Sequence, residues 1–375
     1  MEAARTFVVG HAVDADWETM VRSCLDQMQP LPERGNIGFI YVTDLLDDDL
    51  PLAVEWLREE TGVQHWLGTV GFGIMVGGQE YFDVPAIVSM IGFLPDYSFC
   101  VMPSVNRPGD PLPEHVMNWV TDTNPFFGVV HADPRNAYVA DILNAITDDT
   151  DAVLIGGLTA ARGRQPQIAD GLTEGGVSGV LFSEEVSVST GLSQGCSPVG
   201  AIHEVTKARD NILIELGGRP ALDVFREDVG EVLSRNLERV AGYIHAAMPI
   251  AGDDSGDYLV RNVVGIDPSK KLVVIGERIS EGDRVMFVRR DKSAAMDDLE
   301  RMVADVTDRA SGEPKAALYY SCVARGPNLF GANSEEMKTI QATLGDDVPL
   351  VGFYANGEIS NNRLYGYTGV LTLFS

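Results

Sequence analysis

Cysteine is scarce in this chain and basic residues are in the minority, and both shortages narrow what it can do. Four cysteines occur in 375 residues, Cys24, Cys100, Cys196 and Cys322, with no C-x-x-C pair and no cysteine–histidine cluster at zinc spacing. A disulfide framework, a structural zinc and an iron–sulfur cluster are unsupported, and the thiols are expected to be free. Lysine and arginine number 28 against 55 aspartates and glutamates, a formal net charge of −27. A surface of that sign repels phosphate backbones and anionic lipid, so neither nucleic acid nor a membrane is expected as a partner. No apolar run is long enough to cross a bilayer, and Met1-Glu2-Ala3-Ala4-Arg5-Thr6 holds no basic stretch followed by an apolar one. The expectation is a cytoplasmic protein. Nucleotide and hydrolase signatures are also missing. There is no Walker A sequence and no Ser nucleophile elbow, and Gly68-x-x-Gly71-x-Gly73 lacks the dinucleotide-binding order and precedes a strand.

What the chain does contain is a unit that recurs three times. Each copy reads strand, helix, short apolar strand ending at glycine, glycine-bearing loop, strand. The first runs through a strand at 37–42, a helix at 51–61, the glycine stretch 66–73 and a strand at 86–92. The second uses 126–131, 136–146, 153–157 and 177–182, and the third 316–322, 334–344, 350–357 and 369–374. Repetition of a mixed unit predicts a scaffold built by duplication. Its glycine loops fall at strand ends, where α/β proteins place ligands.

Periodicity supports the helices. Val139, Ile142, Leu143 and Ile146 fall on one face, as do Leu299, Met302, Val303 and Val306. Met337, Ile340 and Leu344 keep the pattern after an Asn333-x-x-Glu336 start that resembles a capping box. Near the ends, a strand at 7–10 with a helix at 16–28, and a strand at 285–289 with a helix at 294–306, extend the first and third copies in the same order. The fold class expected is α/β, with two related halves built from repeated β-α-β-α-β-β units and mixed sheets covered by helices. Between the second and third copies lies a different stretch, with a turn region at 191–200, a Gly217-Gly218 turn and an apolar helix at 228–248. The domains are expected at 1–220 and 221–375, with the Gly/Asp-rich link 251–257 as a rival boundary.

Several stretches together resemble the FIST family of sensory modules. They are Gln194-Gly195-Cys196-Ser197-Pro198-Val199-Gly200, Val205-Thr206-Lys207-Ala208 with Asn211, Gly217-Gly218-Arg219-Pro220-Ala221-Leu222, Ser321-Cys322-Val323-Ala324-Arg325-Gly326 with Leu329-Phe330-Gly331, and residues 349–359. Ala324 stands where the family pattern usually has glycine. The resemblance implies an N-terminal and a C-terminal FIST domain that sense a small ligand, with amino acids proposed. It also implies a signalling partner and, in one branch, haem binding with a response to nitric oxide. This chain reads as a stand-alone sensor, with no room for an output domain.

The strand ends carry the candidate site. Cys322, Arg325 and Asn328 follow one strand; Gly352, Tyr354, Asn356 and Glu358 lie on and after its neighbour. If the strands are adjacent, Arg325 can clamp a carboxylate and Glu358 an amine, which suits an amino-acid-like ligand. The competing reading is that Arg325 and Glu358 pair with each other and the glycines only turn the chain. Cys196 adds a thiol in a glycine–proline turn, but a nucleophilic cysteine needs a base such as His203 and a stabiliser that is not evident. For haem b, His245 in an apolar helix and His203 are the axial candidates, and the absence of C-x-x-C-H excludes covalent attachment. His131-Ala132-Asp133 offers too few ligands for a metal, and Asp133 is read as a helix cap. A binding protein is expected rather than an enzyme, with an enzyme of unknown reaction as the competing class. Haem and a homo-oligomer are left open.

Overall fold

Strands that are apolar on both faces become the centres of sheets. In the computed structural model, which describes residues 6–230, 243–250 and 257–375, β2 (Ile37–Thr43), β8 (Phe127–Ala132) and β22 (Ala316–Cys322) are buried at every position. Each pairs in parallel with the strand after its helix: β3 (His65–Gly71), β9 (Val153–Leu158) and β23 (Leu350–Ala355). On the other side each pairs antiparallel with β6 (Ala86–Gly92), β12 (Val177–Phe182) and β26 (Thr368–Phe374). Beyond these lie β1 (Phe7–Val13), β7 (Phe99–Val105) and β13 (Val188–Gln194).

The last two strands of each sheet form a hairpin supplied by another segment. β4 (Gly73–Val76) and β5 (Gln79–Phe82) follow β3 in the chain but add to β23. β10 (Gln167–Ala169) and β11 (Gly171–Thr173) follow β9 but add to β3. β24 (Glu358–Ser360) and β25 (Arg363–Tyr365) follow β23 but add to β9. Three six-stranded mixed sheets result, sharing one strand order, with the hairpins passed round in a ring.

Seven helices occur among the described residues. α1 (Trp17–Gln27) and α2 (Leu50–Thr61) cover the first sheet through Met20, Val21, Cys24, Leu50, Ala53, Val54 and Leu57. Burying each large apolar side chain of this set contributes roughly 1.5–3 kcal/mol. Gly62 ends α2 at φ +73°, a left-handed turn in which its N–H bonds the Arg58 carbonyl. α3 (Glu114–Thr123) and α4 (Val139–Thr150) cover the second sheet. α5 is Ala221–Val229, and α6 (Lys292–Asp308) and α7 (Glu335–Leu344) complete the set. The inner faces of the three sheets meet in one core containing Phe39, Tyr41, Val129, Leu318, Tyr320 and Phe353.

Residues up to Ser193, Asp298–Leu364 and Thr368–Ser375 form one compact body; Gln194–Asp297 with Tyr365–Tyr367 form a second. The second is an antiparallel sheet of β14 (Cys196–Pro198), β15 (His203–Arg209), β16 (Ile212–Leu216), β17 (Arg219–Pro220), β18 (Ile244–Pro249), β19 (Tyr258–Asp267), β20 (Leu272–Ile275) and β21 (Arg284–Arg290). α5 packs on it through Phe225, whose ring meets Phe287 edge-on at 4.8 Å.

Some expectations change. The strand expected at 285–289 to open the third repeat lies in β21 and pairs with β14, β15 and β18 in the second body; β13 is the strand beside β26. The helix expected at 228–248 is not continuous: α5 stops at Val229, and Ile244–Pro249 is a strand because it pairs with β19 and β21. Residues 231–242 of that stretch lie outside the described residues. The Gly217-Gly218 turn forms as expected, both glycines at positive φ, +57° and +74°. Residue 220 lies within the second compact body.

Candidate functional site

Two polar features of the first body bear on function: a buried network at the C-terminal ends of β22 and β23, and an open cleft at the opposite end of β23.

The network is centred on Glu336 of α7, fully buried. Its Oε1 accepts from Tyr319 Oη at 2.7 Å, Ser321 Oγ at 3.1 Å and Arg325 Nε at 2.7 Å; its Oε2 accepts the Gly326 N–H at 3.0 Å. Arg325 is also fully buried, reaches the Ser193 carbonyl and hydroxyl at 3.4 and 3.3 Å, and lies over the Phe330 ring. Burial opposes its charge, yet the Glu336 carboxylate outweighs that and pushes the pKa up. The capping-box reading of Glu336 therefore gives way: Ser334 is the N-cap of α7, and Glu336 turns inward to satisfy a buried guanidinium.

The expected rim residues divide by depth. Cys322, Arg325, Tyr354 and Glu358 are buried, while Asn328 and Asn356 are exposed. Arg325 pairs with Glu336 at 2.7 Å rather than with Glu358. Glu358 Oε2 accepts from Thr368 N–H and Oγ1 at 3.2 and 2.6 Å, and its Oε1 has no hydrogen-bond partner. Burial raises this carboxyl to about 8, against the opposing pull of the Thr368 hydrogen bonds, Arg325 and the Cys322 thiol. Tyr354 Oη donates to Glu80 Oε1 of β5 at 2.7 Å, and burial holds Glu80 up at about 7. Asn328 Nδ2 holds the Val323 carbonyl, and the Asn356 N–H holds that of Leu158. Gly352 is not a ligand cradle: a Cβ there would stand 1.7 Å from the Tyr319 carbonyl oxygen. Gly68 and Gly156 meet the carbonyls of Ile40 and Val130 in the same way, at 2.0 and 1.8 Å. These glycines let parallel strands approach closely.

The cleft encloses about 770 Å³ between the β1 edge, residues 29–33, the β4–β5 turn at 76–79 and residues 346–350. Gln341 of α7 lines it and is 7 % exposed. Gln341 Nε2 donates to the carbonyls of Gly345 and Val348 at 2.6 and 3.1 Å, which fixes the amide orientation. Its Oε1 is left without a partner, beside the open side of Gly77. A buried acceptor left unpaired costs roughly 1–3 kcal/mol, so this position favours a donor from outside the chain. His11, also in the lining, bonds Tyr81 Oη through Nδ1 at 2.9 Å, and burial lowers its pKa. Sequence reasoning missed Glu336, Gln341, Glu80 and His11. The signal for the first two was present: on α7 they share the buried stripe of Met337, Ile340 and Leu344.

Residues 36–219 match the FIST N domain and residues 221–361 the FIST C domain. The chain belongs to the FIST family. FIST domains are sensory domains that bind small ligands. Two strains of Mycobacterium tuberculosis carry an uncharacterized protein 36% identical to this FIST protein over 247 residues, 61% of this chain and 62% of theirs. An uncharacterized protein of Mycobacterium bovis is 35% identical over 192 residues, 49% of each chain. The chain thus spans under two thirds of the length of the curated relatives it matches.

In the second body of this FIST protein, Cys196 is buried in β14 and its carbonyl accepts from Tyr258 Oη at 2.5 Å. His203 Nε2 is committed to Asp228 Oδ2 at 2.7 Å. His245 is buried, its ring lies 4.5 Å from that of Tyr367, and burial together with Arg290 lowers its pKa to about 4. The Asn262 side chain alongside opposes that shift, although no hydrogen bond of good geometry reaches either ring nitrogen of His245. In the first body Asp133 is engaged by Arg135, and α4 starts later, at Val139, so Asp133 does not cap it. Among the described residues no His/Cys/Asp/Glu group is arranged to hold a metal ion, and no helix is long and apolar enough to cross a membrane.

Proposed function

We propose that this chain is a cytoplasmic sensory protein that takes up a small molecule in the cleft of the first body and signals through a separate protein partner. The observation that carries this reading is the buried, unpartnered Gln341 Oε1 in a cleft of about 770 Å³, a volume within the usual range for small-molecule sites. α7 joins the cleft to the network, since it bears both Gln341 and Glu336. The β5 strand does so again, with Gln79 in the lining and Glu80 on Tyr354. A ligand that favours one setting of α7 and the β4–β5 hairpin shifts the population that the partner reads. Arg325, Glu358 and Cys322 act in this proposal as the relay beneath the rim, not as a clamp on the ligand. The shared order of the three sheets is taken as repeated use of one unit, and 1–220 and 221–375 as its two family parts.

Native mass spectrometry of the protein purified without denaturant, beside a Gln79→Trp variant that fills the cleft, tests this. A small molecule carried by the parent and absent from the variant is expected. A ligand retained equally by both overturns the cleft as the site.

One observation favours a second reading, haem-linked sensing through His245. A neutral, buried histidine whose ring nitrogens make no well-formed hydrogen bond, with only Asn262 alongside, fits an axial ligand, and haem held there would supply a site for a diatomic gas. His203, held by Asp228, fits less well. A Soret band that disappears in His245→Ala supports it; protein that stays colourless with added haem removes it.

A further inference from the structure

The cleft's charge selects a ligand class, and this step rests on the cleft being the ligand site. Its lining contains Glu33, Asp346 and Asp347 and neither lysine nor arginine. None of the three acids forms an ion pair among the described residues, and all three are exposed at the mouth. Deeper in lie free acceptors, beside N–H groups of the β1 edge that face the same way. Gln341 Oε1 is one, oriented by the two carbonyls that hold its Nε2. The outer edge of β1 supplies others. The Gln27 side chain bonds both the N–H and the carbonyl of His11, at 3.3 and 2.6 Å, so His11 turns its backbone away from β6. With a strand period of two, Val9 and Phe7 turn theirs the same way, along the edge that lines the cleft.

We propose that the cleft binds a small aliphatic cation, with an ammonium or guanidinium group donating to Gln341 Oε1 and the β1-edge carbonyls while Asp346, Asp347 and Glu33 supply the countercharge. A free carboxylate, as carried by an ordinary amino acid, meets no cation in this lining. The ligand is a free amine or guanidine rather than a protein side chain, because the cleft is only partly open and of small-molecule size.

The test is calorimetric titration with butane-1,4-diamine and agmatine, beside the neutral butane-1,4-diol and the anionic succinate. The proteins are the parent, Asp346→Lys/Asp347→Lys, and a control with the same charge change elsewhere, Asp148→Lys/Asp149→Lys on α4. Gln79→Trp is the fourth, and thermal unfolding checks that each variant folds. The expected result is saturable binding of at least one cation to the parent and the control. Its affinity should be weakened about tenfold or more in Asp346→Lys/Asp347→Lys and lost in Gln79→Trp, while diol and succinate stay silent. Equal weakening in the control assigns the effect to the overall charge of −27 and overturns the proposal. If only the neutral or the anionic compound binds, and Gln79→Trp abolishes it, the cleft stands as the ligand site and the cation assignment falls. If no probe binds, or Gln79→Trp leaves all binding intact, cleft and cation assignment fall together. A lysine-containing peptide that binds where both free cations do not also overturns the small-molecule assignment.

Discussion

Tyr41 Oη lies 2.8 Å from Tyr320 Oη in the centre of the first body, although 279 positions separate the two residues in the chain. Tyr41 also reaches His131 Nε2 at 3.3 Å. The three residues occupy the fifth positions of β2, β22 and β8, and their ring centroids form a near-regular triangle of 5.6, 6.1 and 6.1 Å. Each pair of rings is close to perpendicular, the favoured edge-to-face arrangement.

The histidine of this trio makes the fold sensitive to acid. Burial lowers the pKa of His131 to about 3, against 6.5 ordinarily. Between those values the unfolded chain takes up a proton that the folded chain refuses, so stability is full above about pH 6.5 and falls as pH drops toward 3. Urea unfolding from pH 4 to 7.5 should give His131→Phe a flatter acid limb than the parent. Identical slopes would remove His131 as the cause.

Glu358 works in the opposite direction. Its carboxyl is raised to about 8, so between about pH 4.5 and 8 the folded chain holds a proton that the unfolded chain releases. Its contribution to stability is greatest below that window and is lost as pH rises through 8. Glu358→Gln keeps an acceptor for both Thr368 contacts and should lose this slope. A variant whose stability still declines like the parent's from pH 6 to 8.5 counts against the assignment.

Arg325 and Glu336 should be far more costly to separate than a surface pair. Arg325→Met leaves a fully buried carboxylate without its countercharge, a loss of roughly 3–5 kcal/mol in unfolding free energy. The double change Arg325→Met/Glu336→Gln should cost clearly less than the sum of the single changes. Denaturant unfolding within about 1 kcal/mol of the parent for Arg325→Met would mean the pair behaves as an exposed one.

Gly352→Ala drives a methyl group against the Tyr319 carbonyl and should cost about 1–3 kcal/mol or more. Gly171→Ala, where a Cβ meets nothing within 4 Å, is the control and should change stability by at most about 0.5 kcal/mol. Equal melting temperatures for the two variants would refute the close-approach role.

Strands such as Ile37–Thr43 and Ala316–Cys322 were legible because burial on both faces leaves a continuous apolar run. The stripes of α4 and α6 were legible for a similar reason, with the apolar positions of one helix setting its buried face. Glu336 was not, because a capping box and a buried counterion use the same residue at the same spacing, and only the distant Arg325 decides between them. Gly352 reads as a ligand-site residue at a strand end, because the carbonyl that excludes a side chain there belongs to the neighbouring strand. The cleft was invisible for a related reason: its walls come from residues 7–33, 76–79 and 341–350, which no local pattern joins.

The hairpins handed from segment to segment give the first body a property of its own. The β4–β5 pair closes the sheet of β23, β24–β25 closes that of β9, and β10–β11 closes that of β3. Cut away any one segment and two others suffer: one loses its borrowed edge, and the other's donated hairpin has nowhere to dock. Such a ring has no terminal member from which to fray, unlike a linear array of repeats. Proteolytic fragments of this body should therefore expose unpaired, aggregation-prone edges instead of surviving as smaller folded pieces.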